Sequence, residues 1–403
     1  MSEELRVTKE PFPSLFTLHF SLFTLLSVCA AILAVGVACA SAADRLVVES
    51  VKHVSAADYT RIIITLSGET SHRLFTVPAD PAHNLPARIV IDFSPARRGA
   101  GAPLSLSIQD GLLKQVRTGQ FSSTTTRIVL DIEQIDDYKT FALYSPYRLI
   151  IDVKGKVQRE SPALAEPVPA PRYKIMLDPG HGGKDPGALG TGRVAEKDVA
   201  LAISKRLGRK LATRLPVDVL FTRTTDVFVP LEERIARANA AKADLFVSIH
   251  TNASINPDLQ GVETYYLNNS NDRATIRLAA LENGLHQRNH REGGEAGLSY
   301  LLSDLIQTGK EEDSIALAHH LQEGVVTRAK EHYPAVNSLG VKKGPFYVLV
   351  GAHMPCVLVE TAFITHRVEG KYLISPAYQE ALAEGLFLGI ARFFRTGRMA
   401  KSL

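Results

Sequence analysis

The sequence predicts two folds in succession: a small all-β sandwich over residues 45–154, then an α/β domain over residues 173–396. The α/β domain is expected to hold a mostly parallel sheet with helices on both faces. Three observations carry this. A strand motif recurs four times in the first region with no helix-period segment between copies. A proline-rich stretch follows over residues 155–172. From residue 173 onwards strand-like and helix-like segments alternate.

The chain of 403 residues is long enough for two cores, and its composition (45% hydrophobic, 22% charged) is that of an ordinary globular protein. A net charge of +4, with no basic run interleaved by aromatics, gives no reason to expect nucleic acid as a partner. Residues 16–37 are apolar and lead into Ala40-Ser41-Ala42, a small-x-small pattern. Residues 1–42 are therefore expected to be an export signal cut near Ala42, or else a retained membrane anchor. Cys29 and Cys39 fall in this segment, so the processed chain keeps only Cys356. That excludes an internal disulfide and thiolate metal ligation, and Cys356 itself reads as a small core residue.

In the first region the motif reads Thr60-Arg61-Ile62-Ile63-Ile64, Ala87-Arg88-Ile89-Val90-Ile91-Asp92, Thr126-Arg127-Ile128-Val129-Leu130-Asp131 and Tyr147-Arg148-Leu149-Ile150-Ile151-Asp152. Two pairs of such strands suggest a duplicated unit of roughly sixty residues, and strands of this kind must bury one face against a second sheet. The four arginines are either a binding stripe or solvent-face charges that discourage edge pairing; the second reading is preferred. Pro162, Pro167, Pro169 and Pro171 then make an extended linker.

In the second region, residues 173–177 form a strand stopped by Pro179 and Gly180, and a helix follows with Val199, Ile203, Leu207 and Leu211 along one stripe. Strands are expected at 217–221, 243–250, 262–267, 348–350 and 356–359. Further helices are expected at 231–241, 314–330 and 378–394.

The chemistry sits where these elements end. His181 follows the first strand among glycines, Glu196 opens the next helix, and His250 ends another strand in Ser248-Ile249-His250-Thr251-Asn252. Taken alone, a histidine near glycines is more often structural than catalytic. If the strands are neighbours, however, two imidazoles and a carboxylate meet at the rim where open α/β sheets bind ligands. That donor set suits one zinc ion with an open position. Asp178 and Asn252 flank the ligands and are expected to orient them. Glu360, directly after the apolar strand 356–359, is costly if buried and idle, so it is expected to serve as general base.

Together, Asp178-Pro179-Gly180-His181-Gly182-Gly183, Glu196, Ser248-Ile249-His250-Thr251-Asn252-Ala253 and Leu358-Val359-Glu360-Thr361-Ala362-Phe363-Ile364 resemble the zinc-dependent N-acetylmuramoyl-L-alanine amidases of the bacterial cell wall. Arg223-Thr224-Thr225-Asp226 and residues 231–239 extend the likeness, which covers essentially all of residues 173–394. More loosely, the duplicated β region resembles the AMIN-like targeting domain of periplasmic cell-division amidases. The resemblance implies that His181, Glu196 and His250 hold zinc and that Glu360 is the catalytic acid/base. It also implies a periplasmic enzyme acting on peptidoglycan, cleaving the amide between the muramic acid lactyl group and L-alanine of the stem peptide.

One stretch exceeds a minimal α/β domain. Around residues 269–311, Ala274, Leu278, Leu281 and Leu285 make a helical stripe with Glu282 beside it. In the division-associated amidases a helix inserted here covers the metal until an activator protein displaces it. This segment is therefore either an autoinhibitory plug with Glu282 in the open zinc position or a surface excursion. His286 and His290 read as a solvated helix face. Two other functions compete with amidase: a zinc peptidase cutting within the stem peptide, and a wall-binding protein without catalysis.

Overall fold

The computed structural model describes residues 46–56, 58–156, 172–284 and 308–396. The segment 1–42 expected to be a signal or anchor, most of the proline-rich stretch, and Leu285, His286 and His290 lie outside the described residues. Among the described residues no helix is long and apolar enough to cross a membrane.

The first region is all β. Its strands are β1 (Leu46–Ala56), β2 (Tyr59–Leu66), β3 (His72–Val77), β4 (Arg88–Phe93) and β5 (Ala96–Arg98), then β6 (Ser105–Ser107), β7 (Leu113–Gln120), β8 (Thr126–Ile132), β9 (Asp137–Leu143) and β10 (Tyr147–Lys154). The four motif copies are β2, β4, β8 and β10. They build two five-stranded sheets, ordered β5-β1-β2-β10-β9 and β3-β4-β8-β7-β6. Alternate residues of each motif fill the space between the sheets: Ile62, Ile64, Ile89, Ile91, Ile128, Leu130, Leu149 and Ile151 are buried in one core.

The duplication is visible in the pairing. Arg61 lies opposite Asp152 and Ile63 opposite Ile150 across β2 and β10. Their counterparts Arg127–Asp92 and Val129–Val90 face each other across β8 and β4. Each half thus donates two strands to the sheet of the other, a strand exchange that the repeat alone does not reveal.

The second region runs β11 (Tyr173–Pro179), α1 (Glu196–Arg214), β12 (Val217–Phe221), α2 (Leu231–Ala240), β13 (Leu245–Asn252), β14 (Val262–Leu267), α3 (Arg273–Glu282), α4 (Thr308–Lys330), β15 (Ser338–Gly344), β16 (Cys356–Phe363), α5 (Glu369–Leu373) and α6 (Pro376–Thr396). The sheet order is β12-β11-β13-β16-β14-β15. Strands β12, β11, β13 and β16 are mutually parallel, and β14 joins β16 antiparallel. Ile175, Leu177, Val247, Ile249, Val357 and Val359 face α1, α4 and α6. Met176, Phe246 and Leu358, the alternating residues, face α2, α3 and the segment around Phe346. Both faces are covered, which is why these strands read as nearly unbroken apolar runs.

Three expectations change. The apolar run at 348–350 is not a strand but part of a 3₁₀ turn over Tyr347–Leu349. Strand β15, with two glycines and two lysines, carries no alternation and was not predicted. Arg61 and Arg148 are not solvent-face charges: both are buried, because the outer face of their sheet packs against the α/β domain. Cys356 is buried in the core, as expected.

Candidate metal centre and active site

The carboxyl ends of β11, β13 and β16 lie side by side. In register, His250 on β13 stands beside Glu360 on β16, and Pro179 on β11 stands beside Ile249. Past Pro179 the chain turns through His181, whose φ of 58° is in the left-handed region, followed by Gly182 and Gly183 at φ 128° and 59°. This turn swings the His181 imidazole back towards His250, and the two ring centroids are 4.9 Å apart. The approach depends on Gly180: a Cβ there would sit 2.5 Å from the His250 ring.

Two guanidinium groups hold the turn. Arg234 donates to the Pro179 and His181 carbonyls, both at 2.8 Å, and Arg223 donates to Pro179 O at 3.0 Å and Gly180 O at 2.7 Å. Asp178, fully buried, accepts from Thr222, Arg234 and Ser248. It therefore braces the strand ends and does not touch either imidazole. Asn252 likewise turns away, donating to Glu263 at 3.0 Å. The expectation that Asp178 and Asn252 orient the histidines is corrected: that contact comes from Asp185, whose Oδ2 lies 2.9 Å from His181 Nδ1. Asp185 and Glu263 are site residues that sequence reasoning missed, and Arg223 and Arg234 lie in stretches it quoted without giving them a role.

Glu196 is the first residue of α1, where the helix dipole favours a carboxylate. One oxygen accepts from Ala188 N at 2.8 Å and lies 3.1 Å from His181 Nε2. The other accepts from Thr251 N at 2.9 Å and lies 3.1 Å from His250 Nδ1. Glu282, at the end of α3, enters the same space: its Oε2 lies 3.1 Å from His250 Nδ1 and 3.3 Å from His181 Nε2. One ligand atom from each of His181, Glu196, His250 and Glu282 lies within 4.8 Å of the others.

The electrostatics fit a cation at the centre of this group. Burial alone would lower both imidazole pKa values, but the surrounding carboxylates override it, raising His250 to about 10 and His181 well above its ordinary value. His181 Nε2 is buried without a hydrogen-bond partner, although two carboxylates flank it. Both Glu360 oxygens are also buried without a partner. Burial holds the Glu360 pKa well above the usual carboxylate range, against the pull of His250; Glu282, Glu196 and Glu263 add to the rise. Glu263, paired with Glu360 across β14 and β16, is itself satisfied by Lys342 at 2.6 Å, by Asn252 and by the Tyr265 hydroxyl.

All five residues predicted for the site, His181, Glu196, His250, Glu282 and Glu360, are thus brought to one rim. The sequence profile described as N-acetylmuramoyl-L-alanine amidase matches residues 175–392, more than half of the chain. The chain belongs to the N-acetylmuramoyl-L-alanine amidase family. A second profile, the AMIN domain, matches residues 50–139 of this amidase. The N-acetylmuramoyl-L-alanine amidase AmiC of Neisseria meningitidis is 30% identical over 378 residues, covering 84% of this chain and 88% of that one. AmiC of Escherichia coli strain CFT073 is 28% identical over 379 residues, covering 85% and 88%. Among solved structures, AmiC2 of Nostoc punctiforme aligns with 56% of this chain and 99% of its own at 30% identity, with a TM-score of 0.43. The amidase is therefore a peptidoglycan hydrolase, and the readings as a stem peptidase or as a wall-binding protein without catalysis are set aside.

Proposed function

We propose that this amidase hydrolyses the bond between the muramic acid lactyl group and L-alanine using one zinc ion held by His181, Glu196 and His250, with Glu360 as acid/base. The observation that carries this reading is the convergence of four ligand atoms within 4.8 Å at the mouth of a parallel sheet. Two imidazoles and one carboxylate are the donor set of catalytic zinc, and the buried, unpartnered Nε2 of His181 points into the space an ion would fill. Bound zinc supplies Lewis acidity towards a carbonyl oxygen and lowers the pKa of water.

The chain's own residues do the rest. Asp185 holds Nδ1 of His181, leaving Nε2 for the centre. Glu360, beside His250, takes the proton of the attacking water. It then returns that proton to the nitrogen of L-alanine as the carbon–nitrogen bond breaks. The products are a free lactyl carboxylate and an intact stem peptide with a new amino terminus. Burial suits Glu360 to this, since a carboxyl with a raised pKa can hold a proton between the two steps.

In this reading α3 is an autoinhibitory plug, with the Glu282 carboxylate in the position that substrate needs and an activator protein required to withdraw it. The AMIN match and the AmiC relatives support a periplasmic enzyme of cell separation, targeted to the wall by its β-sandwich.

Zinc analysis and mass spectrometry of products from purified sacculi test the reading. Glu360→Gln should keep zinc and lose activity by at least about 10²-fold; His250→Ala should lose zinc as well. Products cut within the stem peptide, or full activity of Glu360→Gln, would overturn it.

A further inference from the structure

We infer that the outer face of the β5-β1-β2-β10-β9 sheet is a docking surface for the α/β domain, and that its engagement holds α3 over the metal centre. The inference rests on reading α3 as a plug. Ile63, Phe141, Leu143 and Ile150 on this face pack with Tyr347 and Val350 of the α/β domain into one apolar cluster. Two motif arginines flank it. Arg148 pairs with Glu232 on α2 at 2.5 Å, and Arg61 donates to the Glu232 carbonyl at 3.1 Å. The Tyr144 amide donates to the Tyr347 hydroxyl at 3.3 Å. Strand position alone does not bury these arginines. Arg127, the counterpart of Arg61 in the other sheet, has 28% of its side chain exposed, against 1% for Arg61.

The segment gripped by the sandwich is the one that grips the plug. Asn283 directly follows Glu282 and is itself buried. Its Oδ1 accepts from Tyr347 N at 2.8 Å, and its Nδ2 donates to Pro345 O at 2.9 Å. A Cβ on the next residue, Gly284, would lie 4.0 Å from the Ser145 carbonyl of the sandwich. Residues 345–350 are thus clamped between the sheet on one side and the end of α3 on the other. Withdrawing Glu282 breaks the Asn283 pair of bonds. While the sandwich is docked, Tyr347 cannot shift to let it go. Release of the sandwich removes that restraint, so both sites bias one two-state element.

A charge reversal tests this in the full-length zinc enzyme. Arg148→Glu sets a carboxylate against Glu232, and the double exchange Arg148→Glu/Glu232→Arg restores an opposite pair. Three quantities are read: the radius of gyration in solution, the rate at which a chelator removes zinc, and basal dye release from labelled sacculi. The single variant should expand, with zinc loss and basal release each faster by about tenfold; the double exchange should return all three towards wild type. Should Arg148→Glu misfold, Tyr347→Phe, which deletes only the hydroxyl, should shift zinc loss and release in the same direction by less. An expanded variant with wild-type zinc loss and release overturns the coupling, and a compact one overturns the docking role of the pair. Glu282→Ala separates the two readings. If it is activated while Arg148→Glu is silent, the plug stands and the latch falls; if it too is silent, the plug reading itself fails.

Discussion

Asp185 decides which ring nitrogen of His181 faces the proposed metal centre. Its Oδ2 lies 2.9 Å from Nδ1, and its Oδ1 is fixed by the Gly187 amide at 3.0 Å, so the imidazole is held in orientation from behind. A carboxylate in this position orients a metal-binding histidine and raises its basicity. Asp185→Ala should therefore weaken zinc affinity by about 10- to 100-fold with little loss of stability, since its side chain is 41% exposed. Competition with a calibrated chelator measures this; unchanged affinity would show that the contact is incidental. The convergence of the candidate site residues was legible because each caps an apolar strand or opens a helix, and such positions share one rim in a parallel sheet. Asp185 was not. It reaches His181 only because three successive positive φ angles double the chain back, and nothing in Gly-Gly-Lys-Asp states that turn. Asp178 misled for the opposite reason. It is adjacent in sequence, but Thr222, Arg234 and Ser248 reach it first.

At the scale of elements, α3 is anchored at both ends, and the proposed plug role requires that it also be removable. Asp272 caps its start, accepting from Thr275 N at 2.9 Å. Thr275, Leu278 and Ala279 are buried on the sheet's second face, whereas Leu281 is exposed. One turn of apolar contact, one carboxylate and the two Asn283 hydrogen bonds therefore set the closed state in the proposed reading. Leu278→Ala should cost it about 2 kcal/mol, a roughly 30-fold shift towards release. The expected outcome is increased basal hydrolysis of sacculi with zinc content unchanged; an unaltered basal rate in a folded variant would argue that α3 does not gate the site. The helix was readable from its spacing, but its buried face was not: of the expected stripe only Leu278 packs, Ala274 and Leu281 are exposed, and Thr275 and Ala279 take their places. The segment against which its last residues lock was not. Residues 347–350 are apolar and of strand length, and only tertiary contacts on both sides make them a 3₁₀ turn.

For the whole molecule, the strand exchange in the β-sandwich has the largest consequence. The recurring arginine motif made the duplication visible, yet repetition is silent on whether each half folds onto itself or onto its twin. In the structure β4 pairs with β8 and β2 pairs with β10, so each half alone would keep only a three-stranded piece of one sheet and a two-stranded piece of the other. A two-stranded piece is at best marginally stable in water, and the shared core, from Ile62 and Ile89 to Ile128 and Leu149, would lose half of the strands that line it. Residues 46–156 should therefore unfold cooperatively as an isolated fragment, while residues 46–110 should show neither a thermal transition nor protected amides by hydrogen exchange. Cooperative folding of the shorter fragment would mean that the halves are independent and that the exchange is a late rearrangement. If the prediction holds, the outer face that carries Arg61 and Arg148 cannot form from one repeat. It needs β2 from the first half and β10 from the second, which ties docking to completion of the entire sandwich.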